Sequence, residues 1–405
     1  MSIKSLWNSD NKEKVRNLCF SVSAGAIFNL VTQIVYILFK NQMGTDAYGV
    51  ALSIISLLAI TAGTFGYAVN CARLLGTEKG YTANGDYNRI LLGMGLLGSM
   101  IGIAYLFYLD LATPLSVGLY TVLMFVTMLR YYAEVEYKIS TNFFRYMIYY
   151  ILISVGYVAG VFLLKLSGQW MLTLICGETL ALVYVCVGGT IFRRPFFKRT
   201  EHFKPIVFSI GFILASSLID NITLHADRIL LLSITGDGDA VTVYYAASLV
   251  GKVVSMLTLP INAILLSYLM RYKDGLTAKI WSTVVVVALC FGAVCFGGCL
   301  LVSPLLIKWF YAEVYEAALP YLVPAVLGQI FYFVSGVLMM ILLRFKGEKK
   351  QLIFNGAYAV VFFGCVAAGT VLDGLRGFIW SILLANAFRF VGSVIWGFMG
   401  KKKKA

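Results

Sequence analysis

Asp220, Thr223 and Asp227 fall on one stripe of a helix, and Asn221, His225 and Arg228 fall on the adjacent one. In a soluble protein this stretch would be an ordinary solvated turn, yet here it lies inside an apolar run at 205–233. Three more ionisable side chains sit in other apolar runs: Glu178 in 171–192, Lys252 in 241–268 and Arg389 in 377–399. A charge at the centre of a bilayer costs at least about 2.5–3.5 kcal/mol on insertion scales, so such a group faces water or a partner. Counting inward at ~1.5 Å per residue, Asp220, Lys252 and Arg389 fall near mid-membrane. Glu178 falls in the outer half, and Asp227 and Arg228 are shallower still.

Two chemistries fit these six residues. The three acids and three bases could pair as internal salt bridges between helices. Alternatively, Arg228, Lys252 and Arg389 line a cationic cavity for an anionic substrate, with Asp220, Asp227 or Glu178 as a proton or sodium site. Arginine suits bidentate binding of phosphate. Other chemistries find little footing. There is no Gly-x-x-x-x-Gly-Lys-Ser/Thr loop, which excludes nucleotide hydrolysis by that route. His202 and His225 are the only histidines, too few for a His-based metal cluster. Asp237-Gly238-Asp239 has an Asp-x-Asp form but reads as a tight turn. Cys19, Cys71, Cys176, Cys186, Cys290, Cys295, Cys299 and Cys365 all lie in apolar runs and read as buried free thiols. The chain does not read as an enzyme, and no cofactor or metal is expected.

The elements that must position these residues are helices of membrane-spanning length. Apolar residues make up 60% of the chain and charged residues only 13%. Twelve apolar stretches, at 17–39, 47–72, 90–109, 114–131, 146–166, 171–192, 205–233, 241–268, 280–302, 320–343, 352–372 and 377–399, lack period-2 alternation. Each matches the ~30 Å hydrocarbon core of a bilayer as a helix. Lys and Arg crowd alternate gaps: 26 of 33 fall in the N-terminus, the even gaps and the tail, against Lys40, Lys165, Lys308 and Arg376 in the odd gaps. Positive charge is retained on the cytoplasmic side, so both termini are expected there. That asymmetry accounts for the net charge of +14 without nucleic acid and suits anionic lipid headgroups.

The expected organisation is a cytoplasmic N-terminal segment (1–16), a first six-helix bundle (17–192), a cytoplasmic linker (193–204), a second six-helix bundle (205–399) and a basic cytoplasmic tail (400–405). The halves look related. Met43-Gly44-Thr45-Asp46-Ala47-Tyr48-Gly49 opens the second span, and Asp237-Gly238-Asp239-Ala240-Val241-Thr242-Val243-Tyr244 opens the eighth. Lying six spans apart, the copies would share one orientation and be related by an axis along the membrane normal, an arrangement found in secondary transporters. Gly95, Gly98, Ser99 and Gly102 form small-residue faces for close helix packing. Pro260, Pro320 and Pro324 are expected to kink spans 8 and 10.

Local motifs carry a family likeness: Ala226-Asp227-Arg228-Ile229-Leu230-Leu231, Val243-Tyr244-Tyr245-Ala246-Ala247 and Leu259-Pro260-Ile261-Asn262-Ala263, echoed in the first half by Gly44 and Ala47-Tyr48-Gly49. With twelve spans in paired halves, the chain resembles the polysaccharide flippases of the multidrug/oligosaccharidyl-lipid/polysaccharide exporter superfamily. The resemblance implies an all-α polytopic fold: two six-helix bundles around a central cavity that opens to either side in turn. It implies an undecaprenyl-diphosphate-linked oligosaccharide as substrate, membrane lipids and other polysaccharide-assembly proteins as partners, and the bacterial cytoplasmic membrane as location. Arg228, Lys252 and Arg389 would attract the diphosphate, Arg73 at the inner end of span 2 would help gather it, and Asp220, Asp227 or Glu178 would couple a proton or sodium gradient. Spans 1 and 2 hold no mid-membrane arginine, a departure that leaves the cationic lining mostly to the second half. A multidrug antiporter of the same superfamily would favour an acidic, aromatic-lined cavity, against which the three intramembrane bases argue. A glycan polymerase or acyltransferase would offer a sizeable outer loop or a prominent histidine, and a structural scaffold subunit would not need so polar a span 7.

Overall fold

Twelve helices run through the described residues, and local signals set several of their ends. In the computed structural model these residues are 9–77, 79–256, 276–346 and 348–399. Helices α1 (Ser9–Met43), α2 (Thr45–Thr77), α3 (Asn84–Tyr108), α4 (Pro114–Ala133, continued by a turn at Val135–Ile139), α5 (Phe143–Ser167) and α6 (Trp170–Gly188) correspond to the first six expected spans. They are followed by α7 (Phe203–Thr235), α8 (Gly238–Met256), α9 (Ala278–Phe310) and α10 (Leu322–Lys346). The last helical stretch, Glu348–Phe398, is broken by non-helical backbone at Asp373 and Gly374 into α11 (348–372) and α12 (375–398). No strand occurs among the described residues.

Thr113 starts α4 with a capping box: its side chain accepts from the Ser116 amide, and Pro114 occupies the first turn, where no N–H is needed. Asn142 caps α5 through the Arg145 amide, and Gly168 ends it in a left-handed conformation at φ 71. The small-residue stripe of α3 packs as expected. A Cβ on Gly98 would sit 2.1 Å from Met124 and one on Gly102 1.8 Å from Tyr120, so α4 approaches closely only because these positions are glycine.

Nine helical segments are long and apolar enough to cross a membrane, ten with the bent pair Phe203–Ile219 and Asn221–Thr235 that forms α7. This tally takes α11 and α12 together and omits α8, of which 19 residues are described. Leu166 and Leu372 are each 85% exposed, as lipid-facing side chains are. The chain is a multi-pass membrane protein.

Two sequence expectations change, at the prolines of span 10 and at the cysteines. Pro320 lies in a 3-10 turn, Leu319–Tyr321, and Pro324 in the first turn of α10, so both start that helix rather than kink it. Among the described residues, α9 holds a proline in its interior, at Pro304. Among the cysteines only Cys299 is buried; Cys19, Cys186, Cys290 and Cys365 are exposed on helix faces, where lipid replaces protein as their apolar surroundings. Lys40 lies in the last turn of α1 and is buried against protein. The expected features at Pro260, the 259–263 motif, residues 1–8, the 400–405 tail and the Asp220 side chain lie outside the described residues.

By Cα proximity the chain forms two compact units. Unit 1 is Met1–Gly44 with Ile54–Ala226, and unit 2 is Thr45–Ser53 with Asp227–Ala405. In unit 1, α5 packs on α6 and α1, and α4 packs on α2, α3 and α6. In unit 2, α10 packs on α8, α9 and the α11–α12 stretch. The opening of α2 joins unit 2 through polar contacts. Asp46 accepts from the Gly238 amide at 3.0 Å, the Thr242 hydroxyl donates to the Thr45 carbonyl at 2.7 Å, and the Tyr48 and Tyr311 hydroxyls lie 3.1 Å apart. A π-helical turn at Ala59–Gly63 interrupts α2 a few residues later.

Candidate functional site

The Asp227-Arg228 pair of α7 meets α8 along one face. Tyr244, Ser248 and Lys252 follow one another at four-residue spacing, so they stack on a single side of α8. Asp227 accepts hydrogen bonds from the Tyr244 hydroxyl at 2.7 Å and from the Lys252 ammonium, and its other oxygen accepts from the Arg228 amide at 2.9 Å. Lys252 also lies 4.9 Å from the centre of the Tyr244 ring. The Arg228 guanidinium covers Tyr245 at 4.7 Å, and Tyr245 adjoins Tyr48 and Tyr311. On α12, Arg389 is held between the rings of Tyr332 and Tyr358, at 4.5 and 4.8 Å. Tyr358 donates to Asn386 at 2.6 Å, and Asn386 donates in turn to the Gly328 carbonyl at 3.0 Å. Aromatic faces attract cations most strongly where water is excluded. Among the described residues, unit 2 buries three bases, Arg228, Lys252 and Arg389, and one acid, Asp227.

Unit 1 holds a second buried network. Arg130 of α4 donates to Glu178 of α6 at 2.9 Å and lies 3.7 Å from Glu134. The Tyr157 hydroxyl donates to Glu178 at 2.8 Å, the Tyr150 hydroxyl to Glu134 at 2.7 Å, and Lys138 to Glu134 at 2.9 Å. Arg130 also stacks over Tyr131 at 3.6 Å, and Tyr149 donates to the Arg130 carbonyl. The two carboxylates thus share one guanidinium, and each also accepts from a tyrosine hydroxyl, Glu134 from Lys138 as well. Arg73 is apart from this network. It donates to the Tyr132 hydroxyl and to Asn84 at 2.6 Å, and stacks on Tyr87 at 5.0 Å. Among the described residues its buried Nε has no hydrogen-bond partner.

An inward-facing multidrug resistance MATE family transporter of the MOP superfamily superimposes with a TM-score of 0.72 at 11% identity, over 94% of this chain and 97% of that one. Lipid II flippase MurJ, in an inward closed conformation, gives 0.75 at 14% identity, over 93% and 87%. The chain shares the fold of these transporters. A MATE solved in complex with MaD5 gives 0.66 at 15% identity, over 97% and 96%. No protein-family model and no curated protein matches the sequence.

Within this fold the sequence candidates separate into distinct places. Asp227 and Lys252 come together, with Arg228 alongside, and Arg389 stands between tyrosines in the same unit. Glu178 and Arg73 belong to unit 1 and are not in contact with each other. The pairing of three acids with three bases therefore needs correction at Glu178. Its partner is Arg130, which by sequence counts among the bases of a cytoplasmic gap. Arg130 is buried on the α4 face that meets α6. Sequence reading also missed Glu134 and the tyrosines. The available signal was the four-residue spacing of Arg130, Glu134 and Lys138, which lines three charges along one helix face.

Glu178→Leu is expected to lower stability by about 1.5–3 kcal/mol through loss of hydrogen bonds to a charged group. Thermal unfolding in detergent measures this. The double variant E178L/R130M should recover part of the loss, since neither member of the pair is left without the other, while Glu134 gives up Arg130 and keeps Lys138. A wild-type melting temperature for the single variant would refute the pairing.

Proposed function

We propose that the chain is a flippase that moves an undecaprenyl-diphosphate-linked oligosaccharide across the bacterial cytoplasmic membrane by alternating access, with both termini cytoplasmic. The observation that carries this reading is the buried charge of unit 2, with three bases to one acid among the described residues. Buried cations ringed by tyrosine faces and hydroxyls suit a multiply charged phosphate group. The MurJ structure, whose fold this chain shares, is of a lipid II flippase. The concentration of Lys and Arg in alternate gaps supports the orientation. Arg228, Lys252 and Arg389 would attract the diphosphate, Arg73 would help gather it, and Asp220, Asp227 and Glu178 are the groups proposed for ion coupling.

A cation-coupled multidrug antiporter is the second reading, favoured by the equally full overlap with a multidrug resistance transporter. One experiment separates the two. Purified protein is reconstituted into vesicles carrying a fluorescent polyprenyl-diphosphate oligosaccharide, and reagent access to the label reports its leaflet. Protein-dependent movement of the lipid, without movement of ethidium in parallel vesicles, is the expected result. Ethidium transport with a stationary lipid would replace the flippase by the antiporter.

A further inference from the structure

The segment between α6 and α7, residues 189–202, has no regular secondary structure, yet its backbone is held at many points. Glu136 accepts from the Thr190 and Ile191 amides at 3.0 and 3.1 Å. Asn84 donates to the carbonyls of Thr190 and Arg193 at 3.0 and 2.9 Å, Asn88 to that of Phe196 at 3.0 Å, and Arg89 to that of Phe197 at 2.6 Å. Asp86 accepts from the Thr200 amide at 2.9 Å and from its hydroxyl. Gly85 completes the seat: a Cβ there would meet the Lys198 carbonyl oxygen at 2.3 Å. The connector is therefore strapped across the N-terminal end of α3, and its backbone polar groups are engaged by protein.

Its side chains point elsewhere. Arg193, Arg194, Lys198 and Arg199 are exposed, and among the described residues none has a carboxylate within 4.0 Å. Between them Phe196 and Phe197 are 46% and 53% exposed. The acid within the connector, Glu201, is also exposed and lies 3.7 Å from His202. Both ends of the strap run directly into membrane helices, at Gly188 and Phe203, which confines it to the zone where a bilayer's headgroups lie.

We propose that this strap is a preformed binding site for the headgroups of anionic phospholipids. The cations supply attraction to phosphate, and the two phenylalanines suit the apolar layer just beneath it. A water-borne acidic partner would satisfy the charges but leave the phenylalanine pair without an apolar environment. The site is independent of which substrate the protein carries.

Native mass spectrometry of the detergent-purified full chain, titrated with phosphatidylglycerol and with phosphatidylcholine, counts bound lipids directly. Wild-type protein is expected to prefer phosphatidylglycerol at least about tenfold. The triple variant R194Q/K198Q/R199Q should lose that preference, and R194Q or K198Q alone should lower it about fivefold. These side chains take no part in the hydrogen bonds that seat the connector, so the melting temperature should stay close to wild type. Equal binding of the two lipids, or an undiminished preference in the variants, overturns the proposal. Displacement of phosphatidylglycerol by soluble glycerol phosphate at equal concentration overturns it as well, because the site would then be one for free phosphate.

Discussion

Replacing Asp227 with alanine is expected to lower the unfolding free energy by about 3–5 kcal/mol, the usual cost of removing one partner from a buried ion pair. Asp227 is the one buried acid of unit 2 among the described residues, and it accepts from Lys252, Tyr244 and the Arg228 amide. Without it the largely buried Lys252 ammonium loses its counter-charge. Asp227→Asn should cost less, since the amide oxygen still accepts from Tyr244. In D227A/K252M most of the loss should return, because methionine fills the volume of lysine without its charge. Thermal unfolding followed by tryptophan fluorescence checks all three. A D227A protein that melts with the wild type would show that the pair contributes nothing to stability.

The second large effect is expected at Arg389. Arg389→Gln should reduce movement of a diphosphate-linked lipid about tenfold to a hundredfold, the worth of one hydrogen-bonded charge contact to phosphate. Stability should fall by no more than about 2 kcal/mol, the scale of the lost contacts with Tyr332 and Tyr358. Lys252 is a less clean target for the same test, because neutralising it also strands Asp227. The matching variant there is D227N/K252Q, which removes both charges together. Arg389→Lys sharpens the test further. It keeps the charge but lacks the planar fork that stacks on two rings and binds two phosphate oxygens at once, so transport should fall to an intermediate level. Undiminished transport by folded R389Q in the vesicle assay would remove this residue from the proposed site.

Much of the architecture was legible in the sequence because helix formation in a membrane is a local property. A run of about 20 apolar residues spans a bilayer whatever lies elsewhere in the chain, and the twelve runs correspond to α1–α12. The glycine stripe of α3 foretold a close neighbour because the face is read at helical spacing. The six intramembrane charges also stood out, since each breaks a hydropathy pattern that is itself local.

Partners were not legible. Glu178 finds Arg130 from 48 positions away, and Asp46 receives the Gly238 amide from 192 away. Asp86 holds Thr200 across 114 positions, turning a charged connector into a seated strap. Which face of a helix meets which neighbour depends on rotation about the helix axis and on side-chain packing at the contact, and neither is encoded by hydropathy along one segment. The sequence alone therefore determined that charges lie in the membrane and which residues carry them. Only the packed helices decided that Asp227 neutralises Lys252, that Arg130 rather than a base of unit 2 neutralises Glu178, and that Arg389 rests between two tyrosines.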